Sequence, residues 1–189
     1  MIEPVSILPD LNLQPGELYV ARSPAILRTI LGSCVGVTFW SARLGAGALC
    51  HGVLPRCPRE WPPNSSLSER YRFVDFSIRY LVQQFEVLGA CRRELVVKLF
   101  GGADVLPVAE TSRERPTVGA QNCIVAAEVL AEEGLTVSAS DIGGRSGRII
   151  HFHTGTGEVL LRRLPPAARR AGKAGRSIGE LETYANGPA

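Results

Sequence analysis

Residues 33–55 read SCVGVTFWSARLGAGALCHGVLP and contain two apolar segments on either side of a glycine-containing turn. The first segment, residues 33–42, is rich in β-branched and aromatic residues and has the length of a β-strand. Residues 43–47 (RLGAG) are typical of a turn, and residues 48–55 (ALCHGVLP) have the pattern of a returning strand. The stretch therefore predicts a β-hairpin, with Cys34 at the start of one strand and His51 near the end of the next.

Helical and strand patterns alternate through the rest of the chain. Apolar residues follow a helical period from Phe73 to Leu88, with Ser68 as the expected N-cap and Gly89 as the expected stop. A second amphipathic helix is predicted before Gly134. Strand patterns occupy residues 17–22, 25–32, 94–100 and 136–142, and the region to residue 164 ends in a hairpin that turns at residues 155–158. This interleaving predicts a layered α/β or α+β domain.

Length and composition are those of one globular domain. The 189 residues are 45% hydrophobic, and the net charge of +3 is too small to predict nucleic-acid binding. No apolar run approaches the roughly 18 residues of a membrane span, and the N-terminus lacks the pattern of a signal peptide, so we expect a soluble, cytoplasmic protein without membrane insertion. We divide the chain into an irregular N-terminal arm (1–16), the domain itself (17–164) and a Pro/Ala/Arg-rich tail (165–189) that is either mobile or a short appended element.

The five cysteines do not form a disulfide or zinc pattern. They are odd in number, and no CxxC pair occurs. Each is therefore expected to be reduced, and a small buried hydrophobe is the default interpretation.

Cys34 has a second interpretation, because the hairpin brings His51 to the same end. A cysteine nucleophile needs a nearby base, and the two residues lie 17 positions apart on the two strands. The preceding Gly32 and Ser33 allow a turn whose backbone N–H groups stabilise an oxyanion. Thr29 is the nearest hydroxyl that could orient the imidazole. From the residues alone, a catalytic pair and two core residues both remain open.

Three further groups of residues carry possible chemistry. His151 and His153 share one face of a strand and suggest a metal site, but a polar strand face is the favoured alternative. Two glycine-rich turns follow strands; they either let loops pack closely or line a substrate cleft. The candidate cleft residues are Phe100, Gly101, Gly102, Gly143, Gly144 and Arg145.

Five blocks of sequence, in this order, resemble the CheD family of chemoreceptor glutamine deamidases. They are LGSCVGV, HGVLP, KLFGGADVLP, VGAQN and DIGGRSGRIIHFHTGTGEVLLRRL, and together they extend from about Gly16 to Leu164. The resemblance implies a layered α/β sandwich of mixed β-sheet with flanking helices, related to the fold of certain bacterial toxin deamidases. It also implies the catalytic set Cys34, His51 and Thr29, in which His51 either takes the thiol proton or forms a thiolate–imidazolium pair with Cys34.

The activity implied by this resemblance is the conversion of selected glutamines on methyl-accepting chemotaxis receptors to glutamate, with hydrolysis of glutamyl methyl esters as a further possibility. Such chemistry requires neither a metal nor an organic cofactor. The implied partners are the receptors, and in some bacteria a CheC-like phosphatase. Two alternatives remain: a non-catalytic chemotaxis adaptor that binds receptor or phosphatase, and a metal-binding protein that uses His151, His153 and a cysteine.

Overall fold

The structure is a computed structural model that describes residues 8–62, 64–105, 116–165 and 181–186. Two α-helices lie within these ranges, α1 (Val74–Val87) and α2 (Val118–Glu132), together with 3-10 turns at Leu67–Arg72 and Arg92–Glu94. The strands are β1 (Asp10–Asn12), β2 (Leu18–Ala21), β3 (Ile26–Leu31), β4 (Val35–Ser41), β5 (Ala46–Gly52), β6 (Val96–Gly101), β7 (Val137–Ile142), β8 (Arg148–His153), β9 (Glu158–Arg163) and β10 (Leu181–Tyr184).

The strands form two mixed sheets of five strands each. The outer sheet has the order β1-β3-β8-β9-β10, and the central sheet has the order β2-β5-β4-β6-β7. The pairs β1/β3 and β6/β7 are parallel, and the other pairs are antiparallel. Both sheets are therefore mixed, as the predicted α/β sandwich requires.

Three layers follow from the alternation of side chains along the central sheet. Its Val35, Val37 and Phe39 pack with the apolar faces of α1 and α2 in one core. The opposite face, represented by Leu49 and Phe100, packs against the outer sheet in a second core. The central sheet is thus covered on both sides, by helices on one and by the outer sheet on the other.

The predicted hairpin is confirmed. Strands β4 and β5 pair antiparallel from Val35↔Gly52 to Ser41↔Ala46, and residues 42–45 connect them. The open end of this hairpin carries Cys34 and His51, so the topology brings the two candidate residues to the same end of the central sheet.

The predicted start of the first helix is wrong. The helix begins at Val74, and Ser68 lies in the preceding 3-10 turn. The reason is a backbone pairing: Leu54 forms a bridge with Phe73, and the N–H of Val74 donates to the Leu54 carbonyl at 2.8 Å. Phe73 is thereby held extended (φ −94°, ψ 128°), and no helix can pass through it. The predicted stop at Gly89 is confirmed by its positive φ of 87°.

Both expected flanking segments contribute a strand to the outer sheet. The arm is not irregular throughout, because β1 pairs with β3 and Leu13 behind it is buried. The described end of the tail forms β10, whose Tyr184 packs edge-on against Phe100 at 5.2 Å between ring centres. Buried Lys98 donates to the carbonyl oxygens of Tyr184 (2.6 Å) and Gly157 (2.8 Å). The rest of the tail, residues 166–180 and 187–189, lies outside the described residues.

Candidate active site

Cys34 lies in a tight bend that joins β3 to β4. Two backbone hydrogen bonds fix this bend: the N–H of Gly102 donates to the Cys34 carbonyl, and the N–H of Ala103 donates to the Gly32 carbonyl, each at 2.8 Å. Gly101 has a φ of 104°, and a Cβ there would collide with the carbonyl oxygen of Cys34. The backbone of the segment that begins at Gly101 therefore holds the cysteine bend in place.

His51 faces the space between the two sheets, as Cys34 does. On β5, Ala48 and Cys50 point to the helices, so His51, which follows Cys50, points to the outer sheet. Its partner across the ladder is Gly36, and Cys34 precedes Gly36 by two residues on the same face. A diagonal pair of this kind is within reach of a long side chain. A Cβ at Gly36 would lie 3.0 Å from the side chain of Leu31 and 3.4 Å from that of Ile150, so these side chains pack closely over the glycine.

Thr29 on β3 makes the contact that orients the histidine. Its hydroxyl oxygen lies 2.7 Å from Nδ1 of His51, and its hydroxyl group donates to the carbonyl of Leu13 at 2.8 Å. Because the hydroxyl has only one hydrogen, which it gives to Leu13, it must accept from His51. His51 is therefore protonated on Nδ1, and its buried Nε2, which has no hydrogen-bond partner among the described residues, carries the lone pair.

Burial keeps both candidate reactive groups uncharged. It lowers the pKa of His51 from 6.5 to about 4, and it raises the pKa of the Cys34 thiol above its ordinary value. The thiol makes no hydrogen bond to Nε2 in this structure. The geometry and the burial both favour a neutral imidazole beside a neutral thiol over a preformed thiolate–imidazolium pair.

The low pKa of His51 predicts a loss of stability in acid. Between pH 6.5 and 4 the unfolded chain binds a proton at this residue that the folded chain does not, so the free energy of unfolding falls as the pH falls. From pH 7.5 to pH 5 we expect a loss of about 2 kcal/mol from His51, measured by urea unfolding. The His51→Gln protein should lack this part of the slope, and His153→Gln, at a partly exposed site, should retain it. Parallel pH curves for wild type and His51→Gln would contradict the prediction.

The backbone N–H groups of Ser33 and Cys34 are the candidate oxyanion donors at the bend. Among the hydrogen bonds of the described residues, none uses the backbone N–H of Ser33 or of Cys34. Both residues are partly exposed. As far as the described residues show, these two N–H groups are available to bind an oxygen atom that develops negative charge next to the thiol.

The candidate cleft residues separate into three groups. Gly143, Gly144 and Arg145 lie on a loop that is exposed at its tip and joined to the bend through the Gly143 N–H, which donates to the Gly101 carbonyl at 2.8 Å. Gly101 and Gly102 are buried behind the cysteine bend. Phe100 differs from the expectation, because its side chain is fully buried between the sheets and cannot line an accessible cleft.

Sequence reasoning missed two groups at this site. One is the carbonyl of Leu13, which fixes the Thr29 hydroxyl. The other is the side chain of Asn122, which is fully buried on α2 and donates to the carbonyls of Ser33 (2.9 Å) and Val53 (3.0 Å). The signal for Asn122 was a polar residue among the buried positions of α2, which are Gly119, Asn122, Val125, Ala126, Val129 and Leu130.

The structure gives no support to a metal site at His151 and His153. Within the described ranges, no group of three or more His, Cys, Asp or Glu side chains is arranged to hold a metal ion. The two histidines lie on β8, and their side chains alternate with Ile150 and Phe152 of the intersheet core. Within residues 8–62, 64–105, 116–165 and 181–186, neither helix has the length and apolar character needed to cross a membrane.

Comparison with known proteins identifies the family. Residues 53–163 match the family model described as CheD chemotactic sensory transduction, a range that begins just after His51. A Geobacter sulfurreducens protein named "Probable chemoreceptor glutamine deamidase CheD 2" is 44% identical over 157 residues, which cover 83% of this chain and 91% of that protein.

Two other relatives carry the corresponding name without a number. The Oleidesulfovibrio alaskensis protein is 39% identical over 86% of this chain and 76% of its own length. The Rhodospirillum rubrum protein is 35% identical over 86% of this chain and 87% of its own length. With a family model that spans more than half of the chain and relatives at this level of identity, the chain belongs to the CheD family.

Proposed function

We propose that this protein is a cytoplasmic enzyme that converts selected glutamine side chains of methyl-accepting chemotaxis receptors to glutamate, with Cys34 as the nucleophile. The names of the relatives support the reaction and the substrate. The observation that carries the catalytic assignment is the 2.7 Å contact between Thr29 and His51, which leaves Nε2 as a free base on the face that carries Cys34.

The first half of the reaction forms a thioester. Nε2 of His51 takes the thiol proton while the sulfur of Cys34 attacks the carbonyl carbon of the glutamine side chain. The carbonyl oxygen becomes an oxyanion and accepts hydrogen bonds from the N–H groups of Ser33 and Cys34. The tetrahedral intermediate then expels the amide nitrogen, which leaves as ammonia with the proton held by His51.

The second half hydrolyses the thioester. His51, neutral again, takes a proton from water while the oxygen of that water attacks the thioester carbon. The same N–H groups hold the second oxyanion, and the thiolate leaves and recovers its proton from His51. Each cycle consumes one water molecule and yields glutamate and ammonia. A glutamyl methyl ester fits the same scheme with methanol as the leaving group, so we propose methyl-ester hydrolysis as a secondary activity.

The uncharged resting state suits this scheme. Burial lowers the pKa of His51 to about 4, so the imidazole is neutral at neutral pH and its Nε2 carries a lone pair, while the same shift makes it a weaker base. Because the pKa of the Cys34 thiol is raised, proton transfer has to accompany attack on the substrate. We propose the exposed tip of the loop at Gly144 and Arg145 as the rim of the substrate site, because the Gly143 N–H joins this loop to the segment that supports the cysteine bend.

The proposal is tested with a purified receptor cytoplasmic fragment. The fragment is incubated with the full-length protein, and conversion of glutamine to glutamate at each site is followed by mass spectrometry. An incubation without the protein corrects for spontaneous deamidation. We expect conversion at a small set of glutamines; stable binding of the fragment without conversion would instead support the adaptor alternative.

A further inference from the structure

Asn122 joins two backbone segments that carry the reactive groups. Its side-chain NH2 donates one hydrogen to the carbonyl of Ser33, just before Cys34, and the other to the carbonyl of Val53, two residues after His51. The backbone pairing of β4 with β5 ends at Val35↔Gly52, and the Asn122 side chain links the two chains just beyond this last pair. One amide therefore sets the separation of the two chain segments at the open end of the hairpin.

The bond to Ser33 has a direct consequence for the candidate oxyanion donor. The Ser33 carbonyl and the Cys34 N–H belong to the same peptide unit, which is planar and trans, so the two groups point in opposite directions. Fixing the carbonyl towards Asn122 therefore fixes the N–H away from it. A hydrogen bond to the carbonyl also polarises the peptide unit and strengthens its N–H as a donor.

We infer that Asn122 is a positioning residue that aims the Cys34 N–H at the oxyanion, an inference that rests on the proposed function. It acts through the backbone and does not touch the substrate. Its contribution to catalysis is thus expected at the step in which negative charge develops on the carbonyl oxygen, and not in the reactivity of the thiol itself.

The packing of α2 explains why this residue can reach the bend. Thr117 caps the helix by accepting from the N–H of Ala120 at 3.2 Å, and the next turn presses against the segment after β6. A Cβ at Gly119 would lie only 2.6 Å from the carbonyl oxygen of Gly102, so the close approach depends on glycine. Asn122, one turn further along, is brought over the carbonyl of Ser33.

The side-chain amide is matched to its two partners. Both partners are carbonyl oxygens, so only a group with two N–H donors satisfies them. An aspartate of the same size has no donor when ionised and would place an oxygen against each carbonyl. The Asn122→Asp substitution therefore removes the hydrogen bond to the Ser33 carbonyl with little change in side-chain volume. The Asn122→Ala substitution removes both the hydrogen bond and most of the side chain.

The test compares two reactions of the same cysteine. Deamidation passes through an oxyanion, whereas alkylation by iodoacetamide displaces iodide at a saturated carbon and develops none. In the Asn122→Asp and Asn122→Ala proteins we expect kcat for the receptor fragment to fall by about 10²-fold, the effect of losing one oxyanion donor. The rate of Cys34 alkylation, followed by mass spectrometry, is expected to stay close to wild type.

The matched control is Ser77→Ala, which removes another buried helical donor to a backbone carbonyl, that of Tyr71 at 2.7 Å. This protein should retain wild-type kcat. The circular dichroism spectrum and the urea unfolding midpoint of each variant show whether it is folded, and the Asp variant gives the comparison if the Ala variant does not fold.

Two results would overturn the assignment of Asn122: an unchanged kcat, or a parallel fall of kcat and alkylation, which would indicate a general disordering of the bend. Both leave the proposed function standing. A wild-type protein without deamidase activity would overturn the proposed function, and the role of Asn122 with it.

Discussion

The Cys34→Ala protein is expected to lose receptor deamidation by a factor of about 10⁴ or more in kcat, because no other group at the site can form the thioester. Water would have to attack the amide directly, with only the N–H groups of the bend to assist it. Cys34→Ser should be nearly as inactive, since a serine hydroxyl holds its proton far more tightly than a thiol and is a weaker nucleophile. Conversion of glutamine to glutamate in the receptor fragment is the measurement.

A matched control is available in Cys123, which is also partly buried and whose pKa is also raised by burial. Its sulfur lies against Gly101 and Gly102, the residues whose backbone supports the bend of Cys34. Cys123→Ala therefore removes a comparable thiol close to the candidate site. We expect this protein to keep wild-type kcat. Substantial conversion by Cys34→Ala, or equal losses in the two proteins, would contradict a nucleophilic role for Cys34.

The sequence predicted the part of the site that depends on local pattern. The hairpin of β4 and β5 follows from strand-length apolar segments around a turn, and the alternation of side chains then puts His51 on the face shared with Cys34. Thr29 was predicted from its closeness in sequence to the cysteine. Its contact with His51 runs between the two sheets, and a sheet-to-sheet contact has no signature in the pattern of either strand.

The remainder could not be predicted because it depends on long-range backbone contacts. The Leu13 carbonyl becomes an acceptor only because β1 pairs with β3 and carries residue 13 past Thr29. Asn122 reaches Ser33 across 89 positions of sequence. Phe100 was misassigned because the glycine-rich turn that follows it suggested an open loop. Phe100 itself belongs to β6, where the alternation of side chains points it into the intersheet core.

These long-range contacts share one property: each joins the reactive groups to a different layer of the fold. The outer sheet supplies Thr29, the helical layer supplies Asn122, and the central sheet supplies Cys34 and His51. The site is therefore complete only when all three layers are packed. This explains how an uncharged pair of a buried histidine and a partly exposed cysteine can be held in place without a direct hydrogen bond between them.

Replacing Thr29 by valine should lower kcat by about 10³-fold. It should also lower the free energy of unfolding by about 1–3 kcal/mol, because the hydroxyl that pairs with the Leu13 carbonyl and with Nδ1 of His51 is lost. The valine keeps the shape of the side chain but cannot accept from Nδ1 of His51, so the imidazole loses the contact that keeps the proton on Nδ1 and the lone pair on Nε2. In the other tautomer, Nε2 carries a hydrogen and cannot take the thiol proton.

Thr29→Ser distinguishes this effect from a loss of packing, because it keeps the hydroxyl group and removes only a methyl group. With its hydroxyl still donating to the Leu13 carbonyl, the serine oxygen accepts from His51 as threonine does, and kcat should stay within a few-fold of wild type. Thr38→Val, at a buried threonine of β4, controls for the change of residue type. Equal activity of the Thr29→Val and Thr29→Ser proteins would show that the hydroxyl is not needed, and the base would then have to be oriented by its burial alone.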